Sequence, residues 1–297
     1  MKNTLRAEKV SPGTLLFMVA VLWFVSSKSF LAIYNFAMQQ KPASFSGWMY
    51  VTDSKILAGL MVVGALGTLL RFRVFRYTLF GVLLVEGVYP AYVAIRPIVD
   101  GQYVGGGSWW TDRIVLASVE NLFINLGLIA FLRTSIARDW VTNYAPGALP
   151  DSMKEVGLVQ NRKWGNAGML LMAMALLVQT LHGWKYDPAL ILRFPGNQLI
   201  TWYIKSHVTF AFLFAAFCVS IISGGKSRAG WYGKVLALVA LFLPVEAILV
   251  LLKPIGWPGM LTLLPWTVTY SAIVLLSLAF LRTDGADKAF RWRTEQR

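Results

Sequence analysis

Eight apolar segments constrain the fold of this 297-residue chain more than any other feature. Each has about the 20 residues that an α-helix needs to cross the hydrocarbon core of a bilayer. Helices pair their own backbone groups where no water is present, and the segments lack the alternation of barrel strands. We therefore predict an all-α polytopic membrane protein with eight transmembrane helices. The predicted spans are residues 14–37, 47–70, 75–95, 113–133, 165–184, 199–222, 231–252 and 259–281.

The composition and the distribution of charge agree with this class. Hydrophobic residues make up 57% of the chain and charged residues only 14%, whereas about a quarter is usual in soluble domains. The net charge of +14 would suit a nucleic-acid partner, but most of the 28 basic residues fall at the two termini and in the even-numbered loops. The positive-inside rule then places both termini in the cytoplasm and makes the bilayer, not nucleic acid, the partner.

A repeated pentapeptide indicates that the chain contains one unit twice. Ala-Phe-Leu-Arg-Thr occurs at 130–134 and 279–283, each time at the end of an apolar segment. Other matches lie at offsets of 155 and 152, and the offset falls to 149 at the pentapeptide, as shorter loops in the second copy would produce. Four spans per copy give both copies the same orientation, a parallel repeat. We expect two tandem four-helix bundles, 1–134 and 164–297, joined by a cytoplasmic linker, 135–163.

Small residues predict where the helices of these bundles approach closely. They recur on the second and the sixth spans, with Gly64 and Ala216 at matching positions. Small faces let helices pack closely in lipid, where no hydrophobic effect drives them together. We expect these two spans to face each other across the axis that relates the halves.

Ionisable residues within the spans are few, and such residues are by default functional candidates. In the first half they are Lys28, Glu86 and Glu120. Lys28 and Glu120 lie at similar depth, so they form either a structural ion pair or part of a site. Glu86 lies near the middle of its span. It is either a protonated carboxylic acid held by a hydrogen bond or a group that accepts a proton from a quinol. Most of the candidates fall in the outer half of the bilayer, which indicates a polar cavity open to that side.

The second half carries His182, His207 and Glu246. The two histidines, on consecutive spans, could ligate a haem b, but His207 lies roughly two turns deeper than His182, which argues against it. A hydrogen bond to substrate or an interfacial position is favoured for them. No carboxylate or cysteine stands at ligand spacing, so no metal site is predicted. The single cysteine, Cys218, excludes an intrachain disulfide or a CxxC pair.

Three features of residues 14–134 resemble the DoxX/DoxD-like family of four-helix membrane proteins. They are Ser26-Ser27-Lys28 on the first span, Gly59, Gly64 and Gly67 followed by Leu69-Leu70-Arg71 on the second, and Glu120-Asn121 with Leu126-Gly127-Leu128 on the fourth. The family usually has a single four-helix unit, so the duplication is a departure from it. The resemblance implies a membrane subunit of a redox complex, because DoxD-like proteins act in thiosulfate:quinone oxidoreduction.

These observations favour an inner-membrane subunit that works with partner proteins and binds a quinone, or another small or lipophilic substrate, from the outer half of the bilayer. The residues expected to carry chemistry are Lys28, Glu86 and Glu120, and those expected to bind a cofactor or substrate are His182, His207 and Glu246. Three alternatives stay open: a transporter that uses the interface between the halves, a non-catalytic anchor for partner proteins, and an enzyme acting on an apolar substrate such as a carotenoid or sterol. No phosphate-binding glycine loop, HExxH motif or nucleophile elbow is present, which disfavours a kinase or an autonomous hydrolase.

Overall fold

The computed structural model describes residues 14–22, 24–25, 45–102, 113–142, 160–178, 210, 212–220, 233–236, 238, 245, 248–249, 252, 256, 271–283 and 286. Every regular element within these residues is a helix, which confirms the predicted all-α class. The helices are numbered in chain order as α1 (14–22), α2 (Phe45–Leu69), α3 (Arg73–Val99), α4 (Arg113–Leu132), α5 (Ser135–Thr142), α6 (160–178), α7 (212–220) and α8 (271–281).

Helix α3 is the clearest candidate for a membrane span. Among the described residues it is the one helix that is both long and apolar enough to cross a bilayer. Its 27 residues correspond to about 40 Å, more than the hydrocarbon core requires. Large apolar side chains such as Leu84, Val85 and Val88 are exposed along it. Gly59–Leu69, Ser118–Leu132 and Ser271–Leu281 are shorter apolar helical stretches.

A tight turn joins α2 to α3. The amide of Phe72 donates to the carbonyl of Gly67, and the amide of Arg71 donates to that of Thr68. This pattern is a Schellman ending, which needs a left-handed residue just after the helix. Arg71 supplies it with φ +68°, where glycine is usual. Its guanidinium lies 4.6 Å from the ring centroid of Trp140, on α5, so a tertiary contact holds the unfavourable residue in place.

The small residues of α2 serve the packing between α2 and α3. A Cβ added at Gly64 would lie 3.2 Å from the Cβ of Leu79, and one added at Gly67 would overlap Phe75. Ala216 of α7 is exposed. The prediction of close packing is confirmed, but the expectation that Gly64 faces Ala216 is wrong. The short turn brings α3 against α2, and α3 occupies the face that the glycines leave open.

The core is continuous between the two halves of the sequence. Phe17 of α1, Phe131 of α4 and Phe280 of α8 meet with ring centroids 5.5–6.3 Å apart. All three side chains are buried, and their edge-to-face and tilted arrangements are the favourable ones for aromatic rings. Helix α6 packs on the same cluster through Gly168, against Phe131, and Gly165, against Phe280.

The two copies of Ala-Phe-Leu-Arg-Thr end their helices with the same hydrogen bonds. In both, the threonine hydroxyl donates at 2.7 Å to the carbonyl of the phenylalanine three residues earlier, and the threonine amide donates to that carbonyl at 3.1 Å. In both, the arginine amide donates to the carbonyls three and four residues back, at 3.0–3.2 Å. The repeated sequence therefore specifies one local structure twice.

The segment predicted as a linker, 135–163, contains regular structure at both ends. Helix α5 occupies Ser135–Thr142, and residue 160 is already helical, earlier than the predicted start of the fifth span at 165. Asn161 Oδ1 accepts hydrogen bonds from the amide and the hydroxyl of Ser135, each at 2.7 Å. The Trp140 indole donates to the carbonyls of Thr68 and Leu69, each at 3.1 Å. The ends of α2 and α4, α5 and the beginning of α6 are thus tied together.

Candidate functional site

Two of the six predicted site residues, Glu86 and Glu120, lie in the described part of the chain. Lys28, His182, His207 and Glu246 lie outside the described residues, so the Lys28–Glu120 pair and the histidine pair stay predictions. The geometry available for a site is therefore that of α3 and α4, which pack along each other.

Glu86 lies at the midpoint of α3, roughly 20 Å from either end. Pro90 follows four residues later and has no N–H, so the carbonyl of Glu86 loses its normal helical partner. Asn121 of α4 replaces that partner, because its Nδ2 donates to the Glu86 carbonyl at 2.8 Å. An unsatisfied carbonyl within an apolar bundle would be costly, so this contact fixes where α4 lies against α3.

Asn125 continues the polar contact one turn along α4. Its Nδ2 donates to the backbone carbonyl of Asn121 at 2.9 Å and to Asn121 Oδ1 at 3.1 Å. The Asn125 side chain is buried and lies against Gly87 of α3. A Cβ added at Gly87 would be 3.0 Å from the Cβ of Asn125, which is too close for unstrained packing. Gly87 thus allows α3 to approach the asparagines.

Glu120 is almost completely buried, with 3% of its surface exposed. It shares a stripe of α4 with Gly127 and Phe131, because positions seven and eleven residues apart fall on one helical face. That face packs against α6: a Cβ at Gly127 would lie 3.2 Å from Met172, and Phe131 lies against Gly168. The position of Glu120 is therefore on the side of α4 that faces α6, whereas Asn121 faces α3.

We use the term α3–α4 polar cluster for four residues: Asn121 and Asn125, Glu86, whose carbonyl Asn121 binds, and Glu120, which precedes Asn121 on the side of α4 that faces α6. Carboxyl side chains can exchange protons, and carboxyl and amide side chains can both donate and accept hydrogen bonds. The two glutamates of the cluster are at a similar level. Helix α4 continues for 12 residues beyond Glu120, roughly 18 Å, and α3 begins at a comparable distance before Glu86.

Within the described residues, no three His, Cys, Asp or Glu side chains come together in a way that could hold an ion. The carboxyl and amide groups of the cluster can donate and accept hydrogen bonds, so they could contact a carbonyl or hydroxyl group of a ligand.

Sequence reasoning found the glutamates but missed the structural role of the asparagines. Two signals were present: Asn121 and Asn125 are four residues apart in an apolar segment, which places them on one helical face, and Pro90 stands four residues after Glu86. Each signal alone is ambiguous. Only the packing of α3 on α4 shows that the asparagine satisfies the carbonyl that the proline leaves free.

Comparison of the chain with protein-family models, with curated proteins and with solved structures gives no match. The described residues define its class as an all-helical protein with one helix long and apolar enough to cross a membrane and with buried and half-buried polar side chains between apolar helices.

Proposed function

We propose that the protein is an integral membrane subunit of a redox assembly, and that it binds a quinone or a similar small lipophilic molecule at the α3–α4 polar cluster. The observation that carries the proposal is the burial of Glu120 beside Asn121 and Asn125 in a helix that is otherwise apolar. Polar and ionisable groups at such depth are costly in a bilayer and are typically retained for function.

The chemistry of a quinone fits the groups in the cluster. A quinone has two carbonyl oxygens that accept hydrogen bonds, and the quinol has two hydroxyls that donate them. A carboxyl group can do either and can exchange a proton in the process. Glu120 and Glu86 are the proposed proton-exchanging groups, with Asn121 and Asn125 shaping the site. The apolar ring and tail of the ligand match the surrounding helices.

The proposed placement is eight spans in two tandem bundles, in the inner membrane and with both termini cytoplasmic. The supporting observations are the apolar α3, the identical hydrogen bonds of the two pentapeptide ends, and the gathering of basic residues where helices begin and end. We call this region the basic end, and it contains Arg71, Arg133, Lys163 and Arg282. It would face the cytoplasm, and the polar cluster would lie roughly 20 Å away, toward the middle of the bilayer.

The resemblance of residues 14–134 to the DoxX/DoxD-like family supports the redox part of the proposal. Partner subunits that supply the redox centre are part of this proposal. In this proposal Lys28 pairs with Glu120, and His182, His207 and Glu246 form the corresponding site of the second half.

The position of Glu120 favours a transporter as the second candidate. The stripe that holds Glu120 packs against α6, which belongs to the second half of the sequence. Substrate sites of transporters built from repeats lie near the bilayer midplane, at the interface between the repeats. A substrate that follows this interface would pass the same carboxyl group.

A binding experiment tests the redox proposal. The purified protein is extracted for quinone, and the delipidated protein is then titrated with a short-chain quinone. We expect quinone to copurify and Glu120→Gln to weaken binding about tenfold, as for loss of a hydrogen bond to a charged group. Tyr89→Phe is the matched control, since it removes an exposed hydroxyl from α3 and should leave the affinity unchanged.

The folding of each variant is checked independently. The chain has a single cysteine, Cys218, which is buried, so a thiol-reactive dye reports unfolding directly. If the folded wild-type protein neither contains nor binds quinone, the redox proposal fails. Substrate uptake into proteoliposomes that requires Glu120 would then support the transporter.

A further inference from the structure

Two exposed cations flank one tryptophan at the basic end. The guanidinium carbon of Arg133 lies 4.6 Å from the ring centroid of Trp164, and Lys163 Nζ lies 6.0 Å from the same centroid. Neither cation forms an ion pair with a carboxylate of the described residues. Cation–π contacts hold the two charges on one ring while leaving them accessible to solvent.

A third cation, Arg138, lies near this pair. The side chain of Gln160 links it to Arg133: Gln160 Nε2 donates to the Arg133 carbonyl, and Gln160 Oε1 accepts from Arg138 Nη1, both at 3.4 Å. Arg133 follows the end of α4, and Lys163 and Trp164 lie near the beginning of α6. The contact of α4 with α6 thus concentrates positive charge that is far apart in the sequence.

An apolar stripe continues from the charged pair along α6. Lys163, Leu170 and Met174 fall on one helical face, because they are spaced by seven and eleven residues. Leu170 is 47% exposed and Met174 is 37% exposed. A single face therefore presents a cation at the basic end and then, over roughly 16 Å, a track of uncovered apolar side chains.

We propose that Arg133, Lys163 and Trp164 bind the phosphate of an anionic phospholipid, with one acyl chain along Leu170 and Met174. The proposal rests on the membrane location proposed above but not on the quinone site. The two cations supply charge complementary to a phosphate, and tryptophan is favoured at the level of lipid headgroups. The apolar stripe distinguishes a lipid from free phosphate, which would have no contact with α6 beyond the charges.

The second pentapeptide end provides an internal control. Arg282 is the counterpart of Arg133, is likewise exposed and follows the same hydrogen-bonded helix end. It lies over no ring among the described residues. At the offset of 155 found between the first spans of the two halves, Trp164 corresponds to Lys9, so the tryptophan is not repeated at the equivalent position of the sequence.

The test measures lipid binding to the delipidated full-length protein in neutral detergent, counting bound lipids by native mass spectrometry. The probes are phosphatidylglycerol, phosphatidylcholine and inorganic phosphate. We expect phosphatidylglycerol to bind tightest, and the double variant Arg133→Gln/Lys163→Gln to weaken its binding roughly 30-fold, since each cation near the surface contributes about a fivefold effect. Arg282→Gln should stay within twofold of the wild-type protein.

Three results would overturn the proposal. These are unchanged binding by the folded double variant, an equal loss in Arg282→Gln, and displacement of phosphatidylglycerol by equimolar inorganic phosphate, which would make the site one for free phosphate. A further variant, Leu170→Gln/Met174→Gln, retains the two cations. It should weaken the binding of phosphatidylglycerol but leave the binding of inorganic phosphate unchanged. Quinone binding is measured on the same samples. If the wild-type protein binds the lipid but no quinone, the result counts against the quinone site and leaves the lipid site intact.

Discussion

The two Ala-Phe-Leu-Arg-Thr ends have the same backbone hydrogen bonds but different surroundings. At the first end, the carbonyl of Leu132 accepts two hydrogen bonds from the buried guanidinium of Arg76, at 3.1 and 2.7 Å. At the second end, the hydroxyl of Thr283 accepts a hydrogen bond from the amide of Ala286 at 3.2 Å. The pentapeptide thus specifies where a helix stops, and residues elsewhere in the chain decide what that stop is attached to.

The difference shows how one local structure can serve two purposes. The last carbonyls of a helix have no partner within it and must be satisfied by other groups. At the first end a side chain from α3 does this and so joins α3 to α4. At the second end, the hydrogen bonds among the described residues are made by residues close in sequence. In its hydrogen bonds, the first end is therefore a tertiary junction and the second a local cap, although Phe280 of the second end also packs against Phe17 and Phe131.

The largest expected effect comes from breaking this junction. Arg76→Ala removes a buried charged donor that makes two hydrogen bonds, and should lower the free energy of unfolding by about 3 kcal/mol. For a chain of this size that corresponds to a fall of about 6 °C in the unfolding midpoint, read from dye labelling of Cys218. Arg73→Ala is the control, because Arg73 is exposed and, among the described residues, its guanidinium forms its hydrogen bond and its ring contact with Tyr77, so the midpoint should barely change.

An equal fall in the unfolding midpoint of Arg76→Ala and Arg73→Ala would contradict the view that the first pentapeptide end is a tertiary junction. It would mean that charge at the basic end, rather than the bond from Arg76 to the end of α4, determines stability. Arg76→Lys separates the two explanations further, since it keeps the charge but loses the planar fork that reaches the Leu132 carbonyl with two N–H groups.

The next effect concerns the glycines of α6 that lie against the two phenylalanines. A Cβ at Gly165 would overlap the ring of Phe280, whereas a Cβ at Gly168 would lie 3.1 Å from the ring of Phe131. Because Phe280 is held by its contacts with Phe17 and Phe131, it has little room to move. Gly165→Ala should lower the free energy of unfolding by about 2 kcal/mol, because the added methyl group overlaps Phe280. Gly168→Ala should lower it by less than about 1 kcal/mol, because the overlap is smaller and the helix propensity of alanine offsets part of it.

Labelling of Cys218 measures both glycine variants, and a double-mutant cycle identifies the cause. Phe280→Leu lowers stability by itself, but it should recover part of the loss in Gly165→Ala, because a smaller side chain leaves space for the added methyl group. No such recovery is expected for Gly168→Ala. If the two glycine variants are equally stable, Phe131 of the first pentapeptide and Phe280 of the second pack on α6 in the same way. The proposed difference between the two ends is then wrong.

Local features of this fold could be predicted from the sequence because they depend on neighbouring residues. The apolar segments define the helical class, and the repeated pentapeptide identifies two equivalent helix ends. Glu86 and Glu120 stand out as carboxyls in apolar helices. None of these inferences requires knowledge of which helices touch.

Features that depend on partners distant in sequence could not be predicted. The charge pattern places Arg76 with the other basic residues as a topology signal, but the structure buries it because its long side chain reaches the end of α4. The function of Asn121 depends on the carbonyl that Pro90 frees on a different helix. The expected contact of Gly64 with Ala216 is wrong because a small residue indicates close approach without specifying which helix approaches.

The smallest effect tests whether the two ends are locally equivalent. Thr134→Val and Thr283→Val each remove a buried hydroxyl that donates to the preceding phenylalanine carbonyl at 2.7 Å. Each should lower the free energy of unfolding by about 1 kcal/mol. The loss should be slightly larger for Thr283→Val, because the Ala286 amide also loses its acceptor. Thr78→Val is the control, since its hydroxyl bonds at the surface of α3 and should matter little. If Thr134→Val proves several times more costly than Thr283→Val in the Cys218 assay, the helix stop is maintained by its surroundings rather than by the pentapeptide.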